Sequence, residues 1–180
     1  RLVGDGFDQN RIDGIYSQPQ VVFEIKDASL YFMHSEARLN YGQFLSRQSI
    51  RSAEQYMDAF NNELEKAEKT LGVDKEIVTA IILVETRLGS QLGSTPILNI
   101  LSTLAALSDA KLREIYWMKI PSSKRFSRKA YEKKAMKKAG WAYNELKAFL
   151  SLAGKENFDP VTIKGSYAGA MGIAQFMPSN

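Results

Sequence analysis

The sequence predicts a mainly α-helical fold. Apolar residues recur at spacings of three and four over long stretches of the chain, which is the period of an amphipathic helix. Residues suited to helix ends bracket these stretches, such as Gly72 after one and Asp74 before the next. The 180 residues are 44% hydrophobic and 24% charged, a composition typical of a globular chain with a sizeable core.

The first half of the chain contains three predicted helices. Asp8 can cap a short helix that ends near Ser17, whereas residues 21–33 fit neither the helical nor the strand period. The spacing of apolar residues over 49–71 predicts one long amphipathic helix. The helix after Asp74 stops at Gly89 and is apolar on nearly every side, so we expect it to be central and buried.

The second half has clear helix starts and one glycine-rich segment. Thr95-Pro96 is an N-cap followed by proline at the first helical position. Residues 109–119 form another helix, and Ser127 caps a long one that Gly154 closes. The segment GSYAGAMGIAQFMPSN follows. Its small residues permit a helix with close backbone approach, in which Ser166 could serve as the N-cap.

Composition excludes several kinds of chemistry. The absence of cysteine removes disulfides, thiolate metal sites and cysteine nucleophiles. His34 is the only histidine, which excludes a multi-histidine metal site, and we assign it no functional role. No metal-binding motif is present, and no metal or cofactor is expected.

Charge is distributed unevenly along the chain. Residues 111–138 contain eleven of the 24 lysines and arginines but two of the 20 acidic residues, which gives this segment a net charge of +9. The remainder of the chain carries −5. On charge alone, such a segment suggests nucleic acid or another polyanion as partner. Tyr116, Trp117, Phe126 and Tyr131 interleave with the basic residues, as a base-stacking surface requires, but no nucleic-acid-binding motif accompanies them.

Glu85 is the most informative single residue. On a helix it shares a stripe with Ile77 and Ile81, so a carboxyl group is predicted on a buried face. Burial would raise its pKa and keep it protonated near neutral pH, as a general acid in glycoside cleavage requires. The alternative is a structural ion pair with Arg87 or another basic neighbour, and the residues alone favour that alternative.

Two long strings resemble a known family. VDKEIVTAIILVETRLGSQLGSTPILNILSTLAALS and then KGSYAGAMGIAQFMPS resemble the MltB-type lytic transglycosylases, the family 103 glycoside hydrolases that cut bacterial peptidoglycan. GDGFDQNRIDGIYSQ and LNYGQFL extend the resemblance upstream, over most of the chain. It implies an N-terminal helical segment over residues 1–48 and a lysozyme-like helical catalytic domain over 49–180. Because the family's domain continues beyond MPS, we expect this one to be incomplete at its C-terminal side.

The resemblance also implies the roles of individual residues. Glu85 falls on the catalytic acid of the family, within VETR. Other positions fall on the sugar-binding cleft or on a basic pair beside it: Ser166, Gln175, Tyr41, Met171, Lys137 and Lys138. Without the resemblance, periodicity alone favours tight helix packing as the explanation of Ser166 and its small neighbours.

The implied reaction cleaves the β-1,4 bond between N-acetylmuramic acid and N-acetylglucosamine and yields a 1,6-anhydromuramyl product, with Glu85 as both acid and base. Two alternatives stay open. A lysozyme-type muramidase needs a second carboxylate to activate water, for which Asp159 is weakly placed. A non-catalytic module would bind peptidoglycan without cleaving it.

The resemblance implies glycan strands of peptidoglycan as the partner, rather than nucleic acid. It also implies a periplasmic or cell-envelope location, and an outer-membrane lipoprotein for the full-length protein. Peptidoglycan carries stem-peptide carboxylates and is itself a polyanion. We therefore hypothesise that residues 111–138 contact this substrate or an anionic membrane surface.

Overall fold

The computed structural model describes residues 1–26, 28, 40–125 and 127–180. His34 and Phe126, and with them part of the ambiguous stretch 21–33, lie outside the described residues. Seven α-helices lie wholly within these ranges: α1 (Gln9–Tyr16), α2 (Arg47–Ala59), α3 (Asn61–Leu71), α4 (Lys75–Thr86), α5 (Ile97–Ala106), α6 (Ala110–Lys119) and α7 (Arg128–Lys155). Strands β1 (Thr95–Pro96) and β2 (Lys164–Gly165) form one short antiparallel pair. The mainly α-helical prediction is confirmed.

The chain divides into two compact units. The first unit comprises the described residues of Arg1–His34, Gly93–Met171 and Phe176–Asn180, and the second those of Ser35–Leu92 and Gly172–Gln175. The division predicted from sequence, between residues 48 and 49, stays a prediction. Within the described ranges, no helix combines the length and the apolar character that crossing a membrane requires.

Helices α5 and α7 form the core of the first unit. Five large side chains of α5 are completely buried: Ile97, Leu98, Ile100, Leu101 and Leu104. Helix α7 packs against them with buried small residues at Ala135, Ala139 and Ala142, which bring the two helices close together. Larger residues farther along α7, such as Phe149, complete the same apolar cluster. Burial on this scale is the main stabilising contribution in this unit.

The β1–β2 pair determines how α5 begins. Thr95 lies opposite Gly165 and Pro96 opposite Lys164. Pro96 is therefore the N-cap residue with extended backbone, and the helix begins at Ile97. The prediction that Thr95 caps this helix was wrong by one position, because strand pairing holds Thr95-Pro96 in an extended conformation.

Helices α2 to α4 form the second unit. The single helix predicted over residues 49–71 is divided at Phe60, which has φ −115° and ψ 25°. Asn61 and Asn62 follow the break, and asparagine competes with helical backbone hydrogen bonds. Asn61 also accepts from Lys75 Nζ at 3.2 Å, which links the start of α3 to the start of α4.

Local capping signals predicted most helix ends. Asp8 accepts from Arg11 N and Ser127 from Ala130 N, each at the start of its helix. Gly72 ends α3 in the left-handed conformation, at φ 69°. Helix α7 continues to Lys155, slightly beyond the predicted stop at Gly154.

The segment after β2 is not helical, contrary to prediction. Ser166–Asn180 consists of turns and two isolated β-bridges, Gly165–Met171 and Met171–Phe176. Gly169, Gly172 and Gln175 have φ of 96°, 74° and 52°. Left-handed residues at every third position interrupt any right-handed helix.

Gly93 is a position where only glycine fits. It has φ 87°, and a Cβ there would lie 2.1 Å from the Gly165 carbonyl oxygen. We expect Gly93→Ala to lower the free energy of unfolding by about 3 kcal/mol, through strain and loss of the β1–β2 pair. Gly140→Ala is the matched control. Its Cβ would meet nothing within 4 Å on helix α7, so it should stabilise by about 0.5–1 kcal/mol. Denaturant unfolding followed by circular dichroism measures both, and equal effects would contradict the argument.

Candidate functional site

Glu85 lines a cleft of about 410 Å³ within the second unit. One wall is the 3₁₀-helix Tyr41–Leu45, and the other is the last turn of α4 with the residues that follow it. The lining side chains belong to Tyr41, Gln43, Phe44, Val84, Glu85, Arg87 and Gln91. The structure thus brings Glu85 and Tyr41, both predicted from sequence, into one cleft.

Glu85 is exposed in this structure, contrary to the predicted burial. Ile77 and Ile81, on the same stripe of α4, are 52% and 48% exposed. The buried face of α4 is instead the one that carries Thr79, Ile82 and Thr86. A helix that is apolar on nearly every side does not reveal which side is covered, so the prediction of a central, buried α4 was wrong.

Arg87 supports the cleft wall. Its Nη2 donates to Gln43 Oε1 at 2.5 Å, and its guanidinium lies 5.4 Å from the centre of the Phe44 ring. Among the described residues Glu85 forms no ion pair, so the structural pair with Arg87 considered from sequence is not formed. The Glu85 carboxylate faces the cleft with its oxygen atoms available to a ligand.

The chain reverses direction immediately after Glu85. Arg87, Leu88 and Gly89 all have positive φ, of 47°, 58° and 84°. Left-handed backbone is unfavourable for arginine and leucine and persists where surrounding contacts enforce it. Here the Arg87 N–H donates to Leu83 O at 3.0 Å and the Leu88 N–H to Ile82 O at 3.2 Å, which closes the end of α4.

The buried side chain of Thr86 fixes this reversal. Its Oγ1 donates to Ile173 O at 2.8 Å and accepts from the Gly89 N–H at 3.1 Å. It thereby joins the end of α4 to the short segment that carries Gln175. Gln175 Nε2 donates to Gly172 O at 2.8 Å and Leu92 O at 3.3 Å, which leaves its Oε1 as an acceptor.

The other predicted site residues lie in the first unit. Ser166 Oγ accepts from the N–H groups of Ala168 and Ala170, at 3.3 and 3.0 Å. These contacts stabilise a turn and leave its hydroxyl proton able to donate to a ligand. Met171 donates its N–H to Phe176 O at 2.9 Å and packs against the core.

Lys137 and Lys138 line a second cavity, of about 470 Å³, together with Lys134 and Trp141. The Lys138 Nζ is buried 3.0 Å from the centre of the Trp141 ring. Burial lowers the pKa of Lys138 to about 7; nearby Glu145 opposes this decrease, and Lys134 adds to it. Glu145 is itself buried and accepts from Ser179 N and Oγ at 3.1 and 2.8 Å.

The basic segment neutralises part of its own charge. Arg113 Nε pairs with Glu132 at 2.6 Å, and Arg128 Nη2 pairs with Glu114 at 2.6 Å. Tyr116 and Tyr131 are buried, so neither offers a ring face to a nucleic-acid base. The stacking surface considered from sequence is therefore not formed by these two residues.

Comparison with known proteins assigns the family. All of residues 1–180 match the family described as "Transglycosylase SLT domain". The chain belongs to this family. Membrane-bound lytic murein transglycosylase B of Escherichia coli (strain K12) is 30% identical to it over 190 residues, which cover 97% of this chain and 44% of that protein.

Solved structures agree with this SLT-domain assignment. Soluble lytic transglycosylase SltB1 from Pseudomonas aeruginosa matches with a TM-score of 0.71 and 28% identity, over 99% of this chain and 52% of that one. The Escherichia coli lytic transglycosylase Slt35, in complex with bulgecin A, matches with a TM-score of 0.68 and 28% identity, over 99% of this chain and 49% of that one. The SLT domain described here thus spans about half the length of these relatives.

Sequence reasoning missed Thr86 as the residue that anchors the site of this SLT domain. It follows Glu85 in the VETR string, but no sequence pattern indicates the contact with Ile173, 87 residues away. In the described part of the chain, no group of three or more histidine, cysteine or acidic side chains is placed to hold a metal ion.

Thr86→Val tests the anchor because it keeps the shape of the side chain and removes the hydroxyl. We expect the free energy of unfolding to fall by about 1–3 kcal/mol, since the Gly89 N–H and the Ile173 carbonyl lose a buried partner. Thr86→Ser keeps the hydroxyl and is the control. Chemical denaturation measures both variants. Equal stability of Thr86→Val and the wild type would contradict the anchor.

Lys138 predicts a dependence of stability on pH. Its pKa is about 7 in the folded chain and about 10.4 when unfolded. Between these values the unfolded state binds the extra proton, so stability rises with pH. Relative to Lys138→Met, the wild type should gain free energy of unfolding between pH 7 and pH 10. Denaturant titrations across this range measure the difference, and a constant difference would contradict a buried, neutral amine.

Proposed function

We propose that this SLT domain is the catalytic part of a lytic transglycosylase that cleaves the β-1,4 bond between N-acetylmuramic acid and N-acetylglucosamine in peptidoglycan. Family membership over the whole chain supports the reaction class. The single observation that carries the assignment of the site is the cleft in which Glu85 lies together with Tyr41.

Glu85 acts first as a general acid. It protonates the oxygen that links the two sugars, and the C–O bond to the anomeric carbon breaks. The acetamido group of the muramic acid stabilises the anomeric carbon, so a second carboxylate is not required. Among the described residues that line its cleft, Glu85 has the glutamine amides and the ring of Tyr41 as neighbours, but no carboxylate.

Glu85, now ionised, acts next as a base. It accepts the proton of the muramyl 6-hydroxyl, whose oxygen then bonds to the anomeric carbon. The product is a 1,6-anhydro sugar, and no water is consumed. Glu85 ends the cycle protonated, as it began.

Other residues would hold the substrate. Tyr41 is 56% exposed at the cleft and offers a ring face for a sugar to pack against. The free Oε1 of Gln175 can accept from a sugar hydroxyl, and Ser166 can donate to one. We assign Met171, Lys137 and Lys138 to substrate binding as well, Lys137 through its exposed charge and Lys138 as part of the wall of the cavity that the two lysines share.

We also propose the bacterial cell envelope as the site of action. Peptidoglycan is located there, and the Escherichia coli relative is named as membrane-bound. The periplasm is the matching compartment in a cell with an outer membrane, where a lipoprotein anchor on the full-length protein would place the domain.

Glu85→Gln tests the catalytic assignment. It keeps the size of the side chain and removes its acid–base function, so cleavage of purified sacculi should fall by at least about 10²-fold. Glu76→Gln, at an exposed position in the first turn of the same helix, is the matched control and should keep full activity. Thermal unfolding of both variants verifies the fold.

Mass spectrometry of the released fragments identifies the reaction. Fragments that end in 1,6-anhydromuramic acid support a transglycosylase, whereas reducing ends indicate a muramidase. Retained formation of anhydro product by Glu85→Gln would overturn the role of Glu85. Binding of sacculi by the wild type without any fragment release would indicate a non-catalytic module.

A further inference from the structure

Helices α6 and α7 carry the same pattern of exposed residues. On each helix, a stripe of exposed residues begins with a lysine, and its second member lies four residues later. A methionine and another lysine follow, seven and eight residues after the first lysine. These spacings place each stripe on one side of its helix. The lysine–methionine face consists of Lys111, Ile115, Met118 and Lys119 on α6, and Lys129, Lys133, Met136 and Lys137 on α7, all exposed.

Both stripes lie on one side of the helix pair. Arg113 of α6 pairs with Glu132, while Trp117, one turn later, contacts Tyr131 and the earlier residue Arg128. This order is that of an antiparallel pair. On both helices the stripe lies between a third and half of a turn from these contacts, in the same rotational sense. Because the helices run in opposite directions, rotations in the same sense bring the two stripes to the same side.

The charge on this face is uncompensated. Glu114 and Glu132 are the acidic residues of the segment, and both form ion pairs with Arg128 or Arg113. Among the described residues, none of the five lysines of the face has an ion-pair partner. The face therefore presents a positive potential to whatever lies opposite.

Large apolar side chains lie between these lysines. Met118 is 63% exposed, Met136 48% and Ile115 45%. A glycan strand or a nucleic-acid backbone neutralises lysines but offers little apolar surface to bury such side chains. An anionic bilayer offers both: charged headgroups outside and acyl chains a few ångströms deeper. The combination of charge and apolar exposure thus favours a lipid surface over a soluble polyanion.

We propose that the lysine–methionine face binds the surface of an anionic lipid bilayer. Met118, Ile115 and Met136 would enter the boundary between headgroups and acyl chains. The lysines would extend their aliphatic stems over that boundary and place their ammonium groups among the lipid phosphates.

The absence of cysteine makes a site-specific test direct. Met118→Cys labelled with nitrobenzoxadiazole reports the polarity at the centre of the face. Mixed phosphatidylglycerol–phosphatidylcholine vesicles should shift its emission to the blue and raise its intensity severalfold. Phosphatidylcholine vesicles should not, and added salt should reverse the effect. Glu156→Cys, about 40 Å away at the other end of α7, carries the control label and should not respond.

A second test separates the effect of the lysines on this face from the effect of the net charge of the chain. Lys111→Gln with Lys129→Gln should lower partitioning onto the anionic vesicles about tenfold or more. Lys66→Gln with Lys155→Gln removes the same charge from exposed positions elsewhere and should have a much smaller effect. Vesicle sedimentation measures both variants.

Three results would overturn the proposal. The first is an unchanged spectrum of the Met118 label on anionic vesicles, and the second is an equal response from the Glu156 label. The third is equal weakening by both charge variants. Sacculus binding that depends on Lys111 and Lys129 without vesicle binding would assign the face to peptidoglycan. Because neither assay measures glycan cleavage, failure here leaves the test of Glu85 unaffected.

Discussion

The left-handed reversal after helix α4 is the constraint on which the candidate site depends. Three consecutive residues, from Arg87 to Gly89, adopt a conformation that two of them resist. The buried hydroxyl of Thr86 and the backbone bonds at the helix end hold them there. As a result Glu85 is fixed in the last helical turn, at a cleft, while Arg87 is directed to Gln43 rather than to the neighbouring carboxylate. A regular helix continued to Gly89 would carry Arg87 to a different position.

The sequence predicts residues of the site only where they lie within a long motif. Glu85 and Tyr41 lie within such motif strings, and the structure places both in one cleft. The predicted burial of Glu85 rests on periodicity, and that prediction is wrong. Helix α4 has apolar residues on opposite sides, and Ile82 is buried whereas Ile81 is not. Periodicity identifies candidate faces, but the choice between them depends on which other elements are present to cover them.

The same distinction explains the outcome for the fold. Caps at Asp8, Ser127 and Gly72 were predictable because each involves hydrogen bonds within one turn of chain. Residues 166–180 were predicted as a helix because small residues permit one. Their observed conformation depends on partners far away in sequence, such as Thr86 for Ile173, and on the pairing of Thr95 with Gly165 just before them. A local reading of the sequence contains no information on such pairs.

Arginine and lysine divide their tasks within the basic segment. Arg113 and Arg128 use their planar, multidentate guanidinium groups to join α6 to α7 through Glu132 and Glu114. The exposed lysines take no part in joining the two helices and supply the positive charge that faces outward. Similar net charge in this segment therefore does not show that two related proteins share the same contacts between α6 and α7. Relatives in which Arg113 or Arg128 has become lysine would keep nearly the same isoelectric point but lose the ion pairs that connect α6 to α7. Exchange of lysine and arginine at the exposed lysine positions would leave this connection almost unchanged.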